Sequence, residues 1–164
     1  MGAGKTTLGL AMAERLEVNF LDSDQVILEL TGKNAAEIAS DLGVARLHEL
    51  EQSLVSTALT SPIRLVVAAA ASVVDDEAIR KKLSQHLCIW VEADAATLAE
   101  RRESGLHRRS MTDVEAEELN RVRRHSVADF VIGQVDTTSS TVEQTADLAM
   151  TLLSQRLPLL NDSK

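Results

Sequence analysis

The chain has 164 residues, of which 45% are hydrophobic and 26% charged, with a formal net charge of −8. This length suffices for one domain with a sizeable core, and no apolar run approaches the roughly 20 residues of a membrane-spanning helix. An acidic protein gains no general attraction to nucleic acid or to an anionic membrane, so we expect neither as a partner.

Apolar periodicity predicts helices alternating with strands along the whole chain. Helices are expected at residues 6–16, 25–30, 34–42, 44–59, 76–84, 95–103, 113–126 and 141–157. Strands are expected at residues 18–21, 65–69, 87–92 and 130–135. This alternation is typical of a three-layer α/β fold with a mostly parallel central sheet and helices on both faces. We expect one domain over residues 1–164, with an Arg-rich loop before residue 113.

The single cysteine, Cys88, excludes an internal disulfide framework and fits a reducing cytosol. Its apolar surroundings predict a buried core thiol rather than a reactive one. The first residues lack the basic and apolar regions of a sorting signal. We therefore expect a cytoplasmic protein, and we expect it to be a monomer.

The first functional motif is a phosphate-binding loop at residues 1–7, Met-Gly-Ala-Gly-Lys-Thr-Thr. It matches the latter part of the pattern G-x-x-x-x-G-K-[ST]. Glycines let the backbone curl so that N–H groups point at phosphate oxygens, and the next helix aims its positive end at the same place. Lys5 would reach the β- and γ-phosphates of ATP, while the Thr6 hydroxyl would coordinate Mg²⁺. The residues expected along the phosphates are Gly2, Ala3, Gly4, Lys5, Thr6 and Thr7.

This loop has one unusual feature. A P-loop is the turn between a strand and a helix, and here no strand precedes Gly2, while the first glycine of the motif is absent. We expect a missing upstream strand of about ten residues, since that is an ordinary strand with its turn. The alternative is a chain that is natural as written, with a poorly supported loop.

A second motif, Asp22-Ser23-Asp24, directly follows the first predicted strand. One carboxylate can hold the hydration shell of Mg²⁺, and the other can orient an attacking hydroxyl or accept its proton. Asp24 would also cap the following helix. No two histidines are spaced as in a zinc site, so Mg²⁺ is the metal we expect.

Together these residues resemble the shikimate kinase family. The resemblance rests on residues 2–7 and 21–24, on Ile27, and on Thr-Gly-Lys at 31–33, Ala-Glu-Ile at 36–38 and Gly43. It continues more weakly through Ala-Asp at 128–129 and Asp-Thr at 136–137. It implies a nucleoside-monophosphate-kinase-like fold with a five-stranded parallel sheet and a lid, and transfer of the ATP γ-phosphate to a hydroxyl of shikimate.

The resemblance also implies roles for individual residues. Thr6 and Asp22 would serve Mg²⁺, and Asp24 would hold the acceptor hydroxyl as base. The lid would be residues 104–112, with Arg108 or Arg109 neutralising the moving phosphate. Near the adenine we expect Arg101 and the 137–141 turn, including Ser140.

Departures from the family pattern fall on the acceptor side. Where the family carries Gly-x-x-x-Phe-Arg, whose arginine binds the shikimate carboxylate, this chain has His48, and an imidazole cannot offer a guanidinium's bidentate fork. The family's Gly-Gly-Gly turn is here Ala70-Ala71-Ser72. Arg121 is the best counterpart of the arginine that follows the lid. The expected substrate-binding residues are Asp24, His48, Ala70, Ala71, Ser72 and Arg121.

Three functions remain open at this stage. The first is an ATP-dependent small-molecule kinase of shikimate-kinase type, acting on shikimate or a related hydroxylated acceptor. The second is a nucleotide-binding relative without catalysis. The third is a nucleoside monophosphate kinase, which matches the Asp-Ser-Asp and Thr-Gly-Lys segments less well. The combination of Asp22, Asp24 and a lid arginine favours catalysis, because a binding-only module would need neither Asp24 nor the lid arginine.

Overall fold

A computed structural model of the protein describes residues 2–103 and 113–161. Within these ranges the helices are α1 Lys5–Leu16, α2 Ser23–Thr31, α3 Ala35–Leu42, α4 Val44–Leu59, α5 Glu77–Leu83, α6 Ala95–Glu103, α7 Asp113–Val127 and α8 Val142–Asn161. The strands are β1 Asn19–Asp22, β2 Leu65–Ala68, β3 Cys88–Glu92 and β4 Val131–Asp136, and a 3₁₀ turn spans Ala71–Asp75.

The predicted helices and strands all lie where the periodicity placed them, with shifted ends. The 3₁₀ turn Ala71–Asp75, which directly follows β2, was not predicted. A five-residue segment is too short to display a helical period, and 3₁₀ geometry is used mainly in such short pieces. This turn packs between α4, α5 and α7 and therefore belongs to the core.

The four strands form two parallel pairs. β1 pairs with β2 from Asn19 opposite Leu65 to Asp22 opposite Ala68, and β3 pairs with β4 with a shift in register after Cys88. The predicted parallel α/β class is confirmed. The described residues do not form the single central sheet that the sequence analysis expected, because no strand ladder joins the two pairs.

One apolar core nevertheless spans both pairs. Leu8 and Met12 of α1 pack with Val135 of β4 and with the buried face of α8, and partly buried residues of β2 and β3 lie against this cluster. A second core on the opposite side joins α4, the 3₁₀ turn, α5 and α7 around Val55 and Val127. Helices therefore cover both faces of the strands, and the layers bring the carboxyl ends of β1, β2 and β4 to one side.

Cys88 lies in β3 as expected, although it is half-buried rather than fully enclosed. Its Sγ donates to the Leu83 carbonyl oxygen at 3.4 Å. Burial raises the pKa of this thiol to about 11, so it is protonated at neutral pH. In the described ranges, no helix combines the length and hydropathy needed to cross a membrane.

Candidate functional site

A cavity of about 500 Å³ opens at the carboxyl ends of the strands. Its wall contains residues 2–8, the acidic segment 22–24 and Ala68 at the end of β2. Arg101 of α6 and the segment from Thr137 into α8 complete the wall. In open α/β sheets this edge is where ligands bind, because the loops and helix N-termini that can contact them converge there.

The glycine-rich loop has the geometry of a phosphate cradle. Gly2 and Gly4 have φ angles of 86° and 79°, in the left-handed region that side chains disfavour. α1 begins immediately afterwards at Lys5, and within the described residues no side chain caps its N-terminus. The first N–H groups of α1 therefore open on the cavity, where an anion would satisfy them.

Two residues far along the chain support this loop from behind. Arg101 donates from Nη1 to the Gly2 carbonyl oxygen at 2.9 Å, and from Nη2 to the Thr137 carbonyl oxygen at 2.9 Å. The Thr137 hydroxyl donates to the Ala3 carbonyl oxygen at 3.2 Å, and Thr137 is 7% exposed. A Cβ added at Gly4 would lie 3.3 Å from Thr137 Cγ2, so only glycine fits easily.

The turn that carries Thr137 is itself held at Thr138, whose hydroxyl accepts from the Asp94 backbone N–H at 2.8 Å and whose own N–H donates to Asp136 Oδ1 at 2.8 Å. Asp94 accepts from the backbone N–H of Thr97 at 2.7 Å, and this hydrogen bond holds the Asp94 pKa below its usual value. Hydrogen bonds from the Thr138 side chain and backbone lower the pKa of Asp136. The charged Asp136 carboxylate therefore favours a fixed turn beside the loop, while the Asp94 carboxylate holds the start of α6.

Thr6 and Asp22, the expected Mg²⁺ residues, contact each other. Thr6 Oγ1 donates to Asp22 Oδ2 at 2.5 Å. The other carboxylate oxygen of Asp22 accepts from the backbone N–H groups of Asp24 at 2.9 Å and of Gln25 at 3.3 Å. Asp22 is thus the N-cap of α2, whereas the sequence analysis gave that capping role to Asp24.

This oxygen pair fits Mg²⁺ chemistry. The described residues contain no cluster of three or more acidic, histidine or cysteine side chains that would form an all-protein metal cage. Mg²⁺ typically keeps several waters and takes one or two protein oxygens plus substrate phosphates. A hydroxyl and a carboxylate beside a phosphate cradle supply such a set. Thr6 and Asp22 would hold the ion.

All the residues expected to bind ATP line the cavity, as do Asp22 and Asp24. They are Gly2, Ala3, Gly4, Lys5, Thr6, Thr7, Arg101 and Ser140. Asp24 is partly buried in the first turn of α2, on the same wall as Lys5. The predicted lid arginines, Arg108 and Arg109, lie outside the described residues.

The residues expected to bind the acceptor are placed differently, since Asp24 alone among them lines the cavity. Ala70 precedes the 3₁₀ turn, and its N–H donates to Ser23 Oγ at 3.2 Å. His48 is partly buried on α4. Arg121 is exposed on α7 and paired with Glu118 at 2.6 Å. The arginine of α7 that pairs with the 3₁₀ turn is Arg123, which binds Asp75.

The structure adds a buried carboxylate that sequence reasoning missed. Glu51 of α4 is 1% exposed and accepts a short hydrogen bond from the Ser72 hydroxyl. Residues Leu47, Glu51 and Val55 recur every four positions and are all buried. An acidic side chain on an otherwise apolar helix stripe was the available signal.

A second missed feature is an ion pair between Arg123 of α7 and Asp75 of the 3₁₀ turn. Arg123 Nε lies 2.8 Å from Asp75 Oδ1, and Nη2 lies 2.5 Å from Oδ2. Among the arginine side chains that the structure describes, Arg123 is the buried one. The sequence gave no signal for this pair, because its partners are 48 positions apart and Arg123 stands in an ordinary Arg-rich run.

The family profile described as "Shikimate kinase" matches residues 1–154. A shikimate kinase from Thermobifida fusca is 30% identical over 161 residues, which is 98% of this chain and 92% of the relative. One from Corynebacterium diphtheriae is 35% identical over 95 residues, 58% of this chain and 54% of the relative. This chain thus aligns with about half the length of that enzyme.

Solved structures agree on the fold. The structure described as shikimate kinase from Acinetobacter baumannii in complex with shikimate has a TM-score of 0.74 at 23% identity, covering 100% of this chain and 91% of that one. Shikimate kinase from Aquifex aeolicus has a TM-score of 0.76 at 18% identity, covering 96% and 93%. At these identities the likeness shows a shared fold.

Proposed function

This chain belongs to the shikimate kinase family, and we propose on that premise that it transfers the γ-phosphate of ATP, with Mg²⁺, to a hydroxyl of shikimate or a closely related small acceptor. The observation that carries the proposal is one cavity that contains the phosphate loop, the Thr6–Asp22 oxygen pair and Asp24. We also propose that the protein acts in the cytoplasm as a monomer and that its binding partner is the small-molecule acceptor.

On the nucleotide side, the chain's contribution is charge and orientation. The N–H groups at the start of α1 and the Lys5 ammonium would hold the phosphate oxygens, while Thr6 and Asp22 would fix the metal. Bound Mg·ATP supplies the phosphoryl group and a divalent charge that neutralises it. Arg101 and Thr137 keep the loop in shape, so little reorganisation is needed during the reaction.

On the acceptor side, Asp24 is the proposed base. Its carboxylate would accept a hydrogen bond from the reacting hydroxyl, orient the oxygen and take its proton as the oxygen attacks. Arg108 or Arg109 would neutralise the transferred phosphate. The remaining proposed acceptor contacts are His48, Ala70, Ala71, Ser72 and Arg121. The buried pair of Glu51 with Ser72 supports the 3₁₀ turn that contains Ala71 and Ser72.

The test is ATP consumption by the protein with Mg²⁺, with and without shikimate, beside a panel of other hydroxy acids, sugars and nucleoside monophosphates. We expect turnover that depends on a small hydroxylated acceptor. Lys5→Ala should lower kcat by about 100-fold or more, because it removes the ammonium group that would neutralise the phosphate charge. An unchanged far-ultraviolet circular dichroism spectrum would show that the variant is folded.

Each other result has a definite meaning. Turnover with nucleoside monophosphates alone would replace the proposal with a nucleotide kinase. ATP binding without turnover for any acceptor would indicate a nucleotide-binding relative that lacks catalysis. Equal activity of Lys5→Ala and the unmodified protein would exclude the loop as the catalytic phosphate site.

A further inference from the structure

The Thr137 hydroxyl forms a bridge between Arg101 and the phosphate loop. Its oxygen accepts a hydrogen bond from Arg101 Nη1 at 3.0 Å and lies 3.2 Å from the Ala3 carbonyl oxygen. A guanidinium only donates and a carbonyl oxygen only accepts, so the single hydroxyl proton points at Ala3. Arg101 Nη1 also donates to the Gly2 carbonyl oxygen at 2.9 Å. Thr137 and Arg101 therefore hold two successive carbonyl groups of the loop.

These contacts also fix the direction of the N–H groups in the loop. In a trans peptide unit, the carbonyl oxygen and the N–H of the next residue lie in one plane and point in opposite directions. The described residues contain no cis peptide bond. Since the carbonyls of Gly2 and Ala3 face the bridge, the N–H groups of Ala3 and Gly4 point away from it. In the part of the chain that the structure describes, neither N–H group has an acceptor, and both residues line the cavity.

Thr137 is held firmly at the end of β4. It is 7% exposed, and its N–H donates to the Glu92 carbonyl oxygen of β3 at 2.9 Å. Its own carbonyl oxygen accepts from Arg101 Nη2 at 2.9 Å. The N–H, the carbonyl and the hydroxyl of Thr137 thus all have partners. The ends of β3 and β4 therefore set the direction of the loop's N–H groups before any ligand binds.

We propose that Thr137 is a positioning residue of the nucleotide site, whose hydroxyl acts with Arg101 to hold the N–H groups of Ala3 and Gly4 in the direction in which they bind phosphate oxygens. The inference rests on the proposed kinase function and gives Thr137 no contact with the reacting atoms. Successive N–H groups that face one side form an anion-binding concavity. Holding them in place beforehand removes a reorganisation that would otherwise oppose binding.

The test measures the Kd of Mg·tripolyphosphate by calorimetry. This probe has the phosphate chain of ATP without the adenosine, so no contact with adenine enters the measurement. Thr137→Val replaces the hydroxyl with a methyl group of similar size, whereas Thr137→Ser keeps the hydroxyl. We expect the Kd to rise about tenfold in Thr137→Val and to stay within about threefold in Thr137→Ser.

Thr151→Val is the matched control, because the hydroxyl of this exposed threonine bonds the Asp147 carbonyl oxygen within α8 at 2.9 Å. It should leave the Kd unchanged. A merely structural hydroxyl at Thr137 would lower the Tm of Thr137→Val without changing the Kd of the folded protein. An unchanged Kd in folded Thr137→Val, or a Thr137→Ser protein that binds as weakly as Thr137→Val, would therefore overturn the proposal.

Arg101→Lys decides the question if Thr137→Val does not fold. Lysine keeps the positive charge, but its ammonium lacks the planar fork that holds the loop and Thr137 together. We expect the Kd of Mg·tripolyphosphate to rise about tenfold in this variant as well, and an unchanged Kd would overturn the proposal. So would the absence of tripolyphosphate binding to the unmodified protein.

This measurement also separates the positioning role from the proposed function, because binding is measured without turnover. A protein that shows the expected affinities and transfers phosphate to no acceptor would refute the kinase function but support the role of Thr137. A protein that is an active kinase but shows no change in Thr137→Val would retain the proposed function and refute the positioning role.

Discussion

At the residue scale, Asp22 and Asp24 show how two like side chains acquire different surroundings. Asp22 uses one carboxylate oxygen to cap α2 and the other to accept from Thr6. Its orientation is therefore fixed before any ligand binds. Asp24 lies in the first turn of the helix that Asp22 caps and faces the same cavity. The arrangement separates a proposed metal-holding carboxylate from a proposed base.

Asp24→Asn tests this division. The amide keeps the size of the side chain but cannot take a proton, so we expect kcat to fall by about 100-fold or more while the KM for ATP changes little. Steady-state kinetics with saturating acceptor measure both constants. Asp41→Asn, which removes an exposed carboxylate paired with Lys33, should retain full activity. A fully active Asp24→Asn protein would refute the assigned role.

At the element scale, α3 depends on its cap. Asn34 Oδ1 accepts from the N–H groups of Ala36 at 2.9 Å and of Glu37 at 3.0 Å, and Glu37 accepts in return from the Asn34 N–H at 2.7 Å. The helix has eight residues and buries Ile38 against α2 and α4. A helix this short is not stable alone, so the cap and one packed face hold it.

Asn34→Ala should therefore lower the free energy of unfolding by about 1 kcal/mol, since two backbone donors lose their acceptor. Urea denaturation followed by circular dichroism measures this change. Asn34→Ser, which can still accept a hydrogen bond at the cap, should recover most of the loss. An Asn34→Ala protein as stable as the parent would show that packing of Ile38 alone maintains the helix.

At the scale of the whole molecule, the cavity is assembled from distant parts of the chain. Residues 2–8 form one wall, while Arg101 and Thr137 hold the loop in place across 99 and 134 positions. The apolar core around Leu8 joins α1 to α8 in the same way. Local binding at the loop is therefore linked to the stability of the whole fold.

This linkage predicts that Mg·ATP raises the Tm. A ligand at about 100 times its Kd stabilises the folded state by about 2.7 kcal/mol, which for a chain of this length corresponds to a shift of about 5–10 °C. Thermal unfolding with and without Mg·ATP measures the shift. Lys5→Ala should show a smaller shift at the same concentration. An unchanged Tm at millimolar Mg·ATP would contradict the proposed nucleotide site.

The amino-acid sequence by itself determined the order of the elements, the parallel α/β class, the phosphate loop and the acidic segment. These features depend on contacts and periodicities within a few residues, such as the glycines before Lys5 or the spacing of apolar positions in α4. The cap of α2 was assigned two residues too late, to Asp24 instead of Asp22, because a carboxylate on either side of Ser23 satisfies the same local pattern.

Only the tertiary structure decided the division of the strands into two pairs, the support of the loop by Thr137 and the partners of the buried charges. Asp75 and Arg123 are 48 positions apart, and Ser72 and Glu51 are 21 apart. Local sequence contains no signal for such partners, because a side chain's neighbours across the core are set by how the layers pack. For the same reason, only packing decides that Arg123 is buried while its neighbour Arg121 is exposed on α7.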